Sequence, residues 1–148
     1  MKKMGIFQWF FSVRPRKFLT LPFIYGMILP VMFFDLCISL YQLVCFPIYG
    51  IRKVHRSRYI AIDHQNLAYL NVIEKIHCVY CSYVNGTVAY ATDISARTEQ
   101  YFCPIKHDKK TLGAHSRTNL FLEYGDSDNL HVKLDNIRAS LTSEDETK

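Results

Sequence analysis

FLTLPFIYGMILPVMFFDLCISLYQLVCF, Phe18 to Phe46, runs for twenty-nine residues with a single charge, Asp35. As a helix it extends about 43 Å, against a hydrocarbon core of about 30 Å. The run is therefore long enough to anchor the chain in a membrane. It is too long for the apolar part of a cleaved secretory signal, and no A-x-A-like site of small residues follows it. Gln42-Leu43-Val44 is a poor approach to Cys45 for a lipoprotein signal. Two geometries satisfy the run: a single tilted span, and a re-entrant hairpin folded near Pro30, because Pro22 and Pro30 both interrupt the backbone ladder. A non-helical bend at membrane depth must be shielded by other protein, which favours the span.

Charge partitions the chain in the same way. Residues 1–58 carry nine Lys and Arg against Asp35 alone, whereas residues 59–148 carry nine against twelve acids. The excess of cations thus flanks the apolar run, where Lys and Arg meet anionic headgroups. The remainder has no basic stripe, which argues against nucleic acid as a partner. Five segments follow. Residues 1–17 form a basic, aromatic interfacial segment in which Phe7, Trp9, Phe10 and Phe11 suit the headgroup layer. Residues 18–46 are the anchor, 47–58 a basic juxtamembrane linker, 59–141 a small helical Cys/His domain, and 142–148 a disordered acidic tail. The Lys and Arg counts on the two sides of the anchor are nearly equal, so the positive-inside rule does not orient it.

An acid inside an apolar run is costly by about 2.5–3.5 kcal/mol on insertion scales, so Asp35 needs a partner or water. Either it contacts another membrane helix, or the anchor is shifted so that it snorkels or is protonated. Cys37 and Cys45 read as small apolar packers on the lipid side.

In the domain, Tyr69, Val72, Ile73 and Ile76 stand at i, i+3, i+4, i+7, a pattern that predicts an amphipathic helix. A second helix is predicted over Thr87–Phe102, with Tyr90, Ile94 and Tyr101 on one side and a turn at Asn85-Gly86 before it. A third ends at Leu120, Phe121 and Tyr124, stopped by Gly125. Leu130, Leu134, Ile137 and Leu141 mark a fourth, capped by Ser127 or Asp128. The predicted fold class is mainly α: a membrane anchor followed by a small helical domain whose core, at this size, needs a staple.

The candidate staple is a metal. Cys78-x2-Cys81 and Cys103-x3-His107 offer three thiolates and an imidazole, a donor set that holds zinc tetrahedrally. Iron or an iron–sulfur cluster is compatible with the same donors. The tetrad requires the first helix to end near His77 and the chain to turn back at Asn85-Gly86, because two full helices would carry Cys103 well away from Cys78. His77 is an alternative fourth ligand. Haem attachment is excluded, since Ser82 rather than His follows Cys81. A redox C-x-x-C should open a helix, and here an apolar helix runs into Cys78 instead. Asp63-His64 and Arg97-Thr98-Glu99-Gln100 are candidates for bonds to the ligands or a proton relay. Asn85-Gly86-Thr87 matches a glycosylation sequon, a pattern common by chance. No phosphate loop, nucleophile elbow or HExxH occurs.

The block YLNVIEKIHCVYCSYVNGTVAYATDISARTEQYFCPIKH, Tyr69 to His107, resembles that of a group of small, uncharacterised bacterial membrane-associated proteins with an N-terminal hydrophobic segment. The likeness extends upstream through LYQLVCFPIYGIRKV and downstream through LGAHSR. It implies a bacterial membrane protein and brings no activity with it. The reading is a non-enzymatic accessory or docking protein of the bacterial inner membrane. Its metal would be structural and its domain cytoplasmic, where thiolates persist. Its partners are the bilayer and, through Asp35, another membrane protein. The alternative is a membrane-bound thiol-disulfide redox protein using Cys78 and Cys81. A third is a non-haem metal enzyme with His64 or Glu99 beside the ion.

Overall fold

The computed structural model describes residues 19–109 and 112–143. The interfacial segment expected at 1–17 and the tail residues 144–148 lie outside the described residues. Four α-helices are formed among the described residues: α1 (Leu21–Gly26), α2 (Ile28–Ile48), α3 (Val72–Phe102) and α4 (Leu130–Ser143). Short 3₁₀ turns at Arg56–Arg58, His64–Asn66 and Ser116–Leu120 punctuate the connections. The fold is mainly α, with one isolated parallel bridge between Ile105 and Leu122.

The apolar run is one helix with a local fault. Pro22 sits in the first turn of α1, where a missing N–H costs nothing. Pro30 withholds the N–H that the Gly26 carbonyl four residues earlier would accept, and the helix loosens at Met27. The ladder survives on both sides, with Met27 N–H donating to Phe23 O (3.3 Å) and Val31 N–H to Met27 O (3.2 Å). The hairpin considered near Pro30 is therefore not formed: proline removes one bond, and its neighbours keep the axis going. From Leu21 to Ile48 the helix has 28 residues and is long and apolar enough to cross a membrane, a composition shared with signal sequences. Gly50, at φ +66°, turns the chain out of α2.

The described residues divide into two compact units, one holding those up to Cys37 with His55–Ala89, the other Ile38–Val54 with those from Tyr90 onward. In the first unit the Tyr80 hydroxyl donates to the Ile24 carbonyl (2.7 Å). The His77 ring stacks on Tyr25 at 5.8 Å between centres. α3 runs straight through Asn85-Gly86, so the expected turn there is corrected. Asn85 donates its amide back to the Cys81 carbonyl at 2.9 Å, an i−4 bond within the helix. Gly86 has a packing role. A Cβ at its position would stand 2.5 Å from the Tyr59 carbonyl oxygen and 2.8 Å from Ile60 Cγ1. The missing side chain lets the Tyr59–Ile60 backbone lie against the helix. Of the apolar positions expected on one face at the start of this helix, Tyr69 precedes the helix, Val72 and Ile76 are exposed as Tyr69 is, and Ile73 is half-buried.

The second unit holds most of the core. Phe46, Ile51, Tyr90, Ile94, Phe121 and Leu141 are buried, which bears out the Tyr90–Ile94 face of α3 and the inward edge of α4. Gln100, fully buried, donates its amide to the Ile137 carbonyl (3.0 Å) and Ser140 Oγ (2.9 Å), tying α3 to α4. The third predicted helix is only the 3₁₀ turn at Ser116–Leu120. Beyond it, Leu122 N–H donates to Pro104 O (2.9 Å) and Lys106 N–H to Leu122 O (2.8 Å), so extended pairing claims residues that a helix would need. α4 starts after Asn129, whose φ is +52°, rather than from a cap at Ser127 or Asp128. The Asn129 carbonyl accepts from Lys133 N–H at 3.1 Å.

Two glycine substitutions separate helix propensity from packing. Alanine is favoured over glycine in a helix by about 1 kcal/mol. Gly26→Ala, with nothing within 4 Å of its added Cβ, should be neutral or slightly stabilising. Gly86→Ala should destabilise by about 1–3 kcal/mol, because the Tyr59 backbone must move. Thermal unfolding of the two variants in detergent checks both signs.

Candidate functional site

Two polar side chains on α2, Asp35 and Gln42, lie two helical turns apart on one face, and both are 7% exposed. In the first unit, Arg56 meets the Asp35 carboxylate side-on. Its Nε lies 3.1 Å from each oxygen and its Nη2 2.6 Å from Oδ2. The Tyr83 hydroxyl donates to the same Oδ2 at 2.9 Å. The guanidinium also stands over the Tyr83 ring, 5.8 Å from its centre. Asp35 is thus satisfied by its own chain, from the linker and from α3. This is the polar contact its position calls for, made without a second protein.

The protonation states follow from these contacts. The hydrogen bond to Asp35 raises the Arg56 pKa further, against the opposing effect of burial. Burial raises the Tyr83 phenol, and its bond to Asp35 raises it again, since ionisation would set two anions together. A phenol whose folded pKa is raised contributes stability that is complete below its unfolded pKa of about 10 and is lost as pH rises through the folded value. Both groups hold their protons at neutral pH.

Gln42 does the equivalent work in the second unit. Its Oε1 accepts from Val54 N–H (2.6 Å) and its Nε2 donates to Val54 O (3.1 Å), so one side-chain amide takes both polar groups of one linker residue. The same Nε2 donates to the Tyr90 hydroxyl at 3.0 Å. Phe46, buried on the same face, accepts Ile51 N–H on its carbonyl at 2.9 Å. The other face of α2 is different. Leu29, Phe33, Leu36, Leu40 and Leu43, spaced by fours and threes, are each at least half exposed.

The candidate metal ligands are not gathered. Cys78 and Cys81 lie in the second and third turns of α3, Cys78 half-buried and Cys81 exposed. Cys103 follows the last residue of the same helix and is exposed, as is His107. The knuckle that the tetrad required at Asn85-Gly86 is absent because Gly86 is a helix residue. Among the described residues, no three of His, Cys, Asp and Glu come together as metal ligands. The C-x-x-C pair sits inside a helix instead of at its N-terminus, so the end-of-helix dipole that activates such thiols falls elsewhere. All five cysteines are free. Cys37 is exposed and Cys45 half-buried.

The other singled-out residues have structural partners. His64 is exposed, 3.7 Å from Asp63. Arg97-Thr98-Glu99-Gln100 is engaged at every position. Arg97 Nε bonds Asp93 (3.3 Å), Thr98 pairs with the Tyr41 hydroxyl (3.0 Å), and Glu99 with His115 Nε2 (2.8 Å). Gln100 Oε1 accepts from Arg117 Nη1 (2.7 Å), and Arg117 Nε also lies 3.5 Å from Asp93. His115 and Arg117 belong to this network and were not apparent from spacing, since they return from a loop beyond α3. Arg56 was apparent only as one cation among the basic flank.

No protein-family model matches this chain, and no curated protein or solved structure does so either.

Asp35→Asn should destabilise the fold by about 1–3 kcal/mol. That is below the roughly 3–5 kcal/mol for breaking a fully buried pair, because the Arg56 side chain retains 46% exposure. Tyr83→Phe should cost about 1 kcal/mol. A double-mutant cycle of Asp35→Ala and Arg56→Ala, read by unfolding in detergent, should show coupling. Strict additivity would show that the pair does not form in solution.

Proposed function

We propose that this chain is a membrane-attached, non-enzymatic accessory or docking protein, held to the bilayer through α1 and α2. The observation that carries this reading is the two-faced character of α2. Its polar residues, Asp35 and Gln42, are used inside the chain, and what remains outward is a long apolar face. An exposed apolar surface of this extent on a lone chain marks an interaction with lipid or protein. The same two residues favour a retained anchor over a cleaved signal, because removal of the helix would strip Arg56 and Val54 of their partners. The free cysteines are consistent with a reducing, cytoplasmic side for the helical part. No metal enters this reading, and no group in the Asp35 cluster is poised for chemistry.

Membrane flotation of cells expressing the full chain tests it. The protein should float with membranes at its full 17.3 kDa mass, resist high-salt and alkaline washes, and yield to detergent. Combined Phe33→Glu and Leu40→Glu should leave the floating fraction. A wild-type chain recovered without membranes, or shortened by loss of its N-terminal helix, would contradict the proposal.

A further inference from the structure

Resting on the membrane-attachment reading, we infer that α1 and α2 lie along one anionic leaflet, with both ends on the same side of the bilayer, rather than across it. The constraint comes from the linker. In the second unit, Ile51 bonds the Phe46 carbonyl and Val54 bonds Gln42. In the first, Arg56 bonds Asp35. Within each unit, then, a linker residue bonds a position of α2 well before the end of that helix, Val54 at Gln42 and Arg56 at Asp35. The linker backbone is irregular apart from the 3₁₀ turn at Arg56–Arg58, and Arg52, Lys53, Arg56 and Arg58 are exposed.

A transverse helix cannot accommodate this. With Leu21–Ile48 centred in the bilayer, about twenty residues occupy the hydrocarbon, and Asp35 lies at its middle. The exposed residues 55–58, Arg56 and Arg58 among them, would then sit among acyl chains in an irregular stretch of backbone. Lipid-facing irregular backbone does not occur at that depth. Sliding the helix until Asp35 reaches the headgroups leaves Leu19–Phe34, about 24 Å, which is short of the core. That position would also draw in α3, whose His77 and Tyr80 contact Tyr25 and Ile24, with Glu74 and Lys75 in the turn before them.

An in-plane helix meets every constraint. The Leu29–Phe33–Leu36–Leu40–Leu43 face enters the acyl boundary of one leaflet, as interfacial helices do. Residues 47–58 contain four cations and no acid, a charge pattern complementary to anionic headgroups. The occupant of the apolar face is the lipid surface. A second copy of the chain, which the four-three spacing also fits, is the rival outcome of the test.

The test uses the full chain with its native cysteines replaced by serine, carrying either Thr20→Cys or Arg52→Cys, in sealed right-side-out and inside-out membrane vesicles. An impermeant maleimide should label both positions in one vesicle orientation and neither in the other. Labelling from opposite sides would overturn the inference while leaving membrane attachment intact. If the cysteine-replaced chain does not fold, trypsin on the wild-type chain gives the same readout through cleavage near Lys17 and near Lys53. The wild-type chain should also bind phosphatidylglycerol vesicles at least tenfold more tightly than phosphatidylcholine vesicles at low salt. A soluble dimer with no affinity for either would overturn both the inference and the reading beneath it.

Discussion

A carboxylate in the middle of an apolar helix needs a cation, and here the cation comes from the same chain. Arg56 reaches Asp35 with two nitrogens, and Tyr83 takes the remaining side of the same oxygen. This three-way contact brings together α2, the linker and α3. Once Arg56 is held there, the connection cannot leave the helix as a free basic tether. It must double back, and Gln42 secures the return by bonding both polar groups of Val54.

The consequences run in both directions from that constraint. Inward, the returning backbone needs room against α3, which Gly86 provides by lacking a Cβ where Tyr59 approaches. Outward, α2 spends Asp35 and Gln42 on its own chain, and its apolar face is exposed among the described residues. One charge of the linker, easily taken for part of a flank beyond the membrane, is instead held against the helix by Asp35. A spanning helix and a docked basic linker are incompatible in lipid, and the physical cost falls on the irregular backbone as much as on the charges.

Local periodicity made some of this legible in the sequence. The apolar run, the Leu130–Leu141 stripe of α4 and the Tyr90–Ile94 face of α3 are all formed. Asn85-Gly86 was misleading because glycine serves two purposes that look alike from neighbours alone: it permits a turn, and it permits close approach. The deciding contact, with Tyr59, comes from more than twenty residues upstream. The cysteine spacing could not be read from neighbours alone for a related reason. Each half-site resembles a metal knuckle, yet the pairing depended on the turn that Gly86 does not make. Asp35 announced that it needed a partner, but nothing in its surroundings indicated that the partner was Arg56. The outward position of Tyr69, Val72 and Ile76 shows the limit of a periodic stripe, which says that a helix has an apolar face without saying what covers it.

Docking of the linker against α2 underlies both the Asp35 cluster and the exposed apolar face. Amide hydrogen exchange of the full chain in lipid nanodiscs addresses this most directly, because a free linker offers no protected amides. The account predicts slow exchange at Ile51 and Val54, whose N–H groups are donated to Phe46 O and Gln42 Oε1. It also predicts that Gln42→Leu releases Val54 while the centre of α2 stays protected. Exchange of Ile51 and Val54 in the wild-type chain at the rate of an unstructured peptide would contradict it.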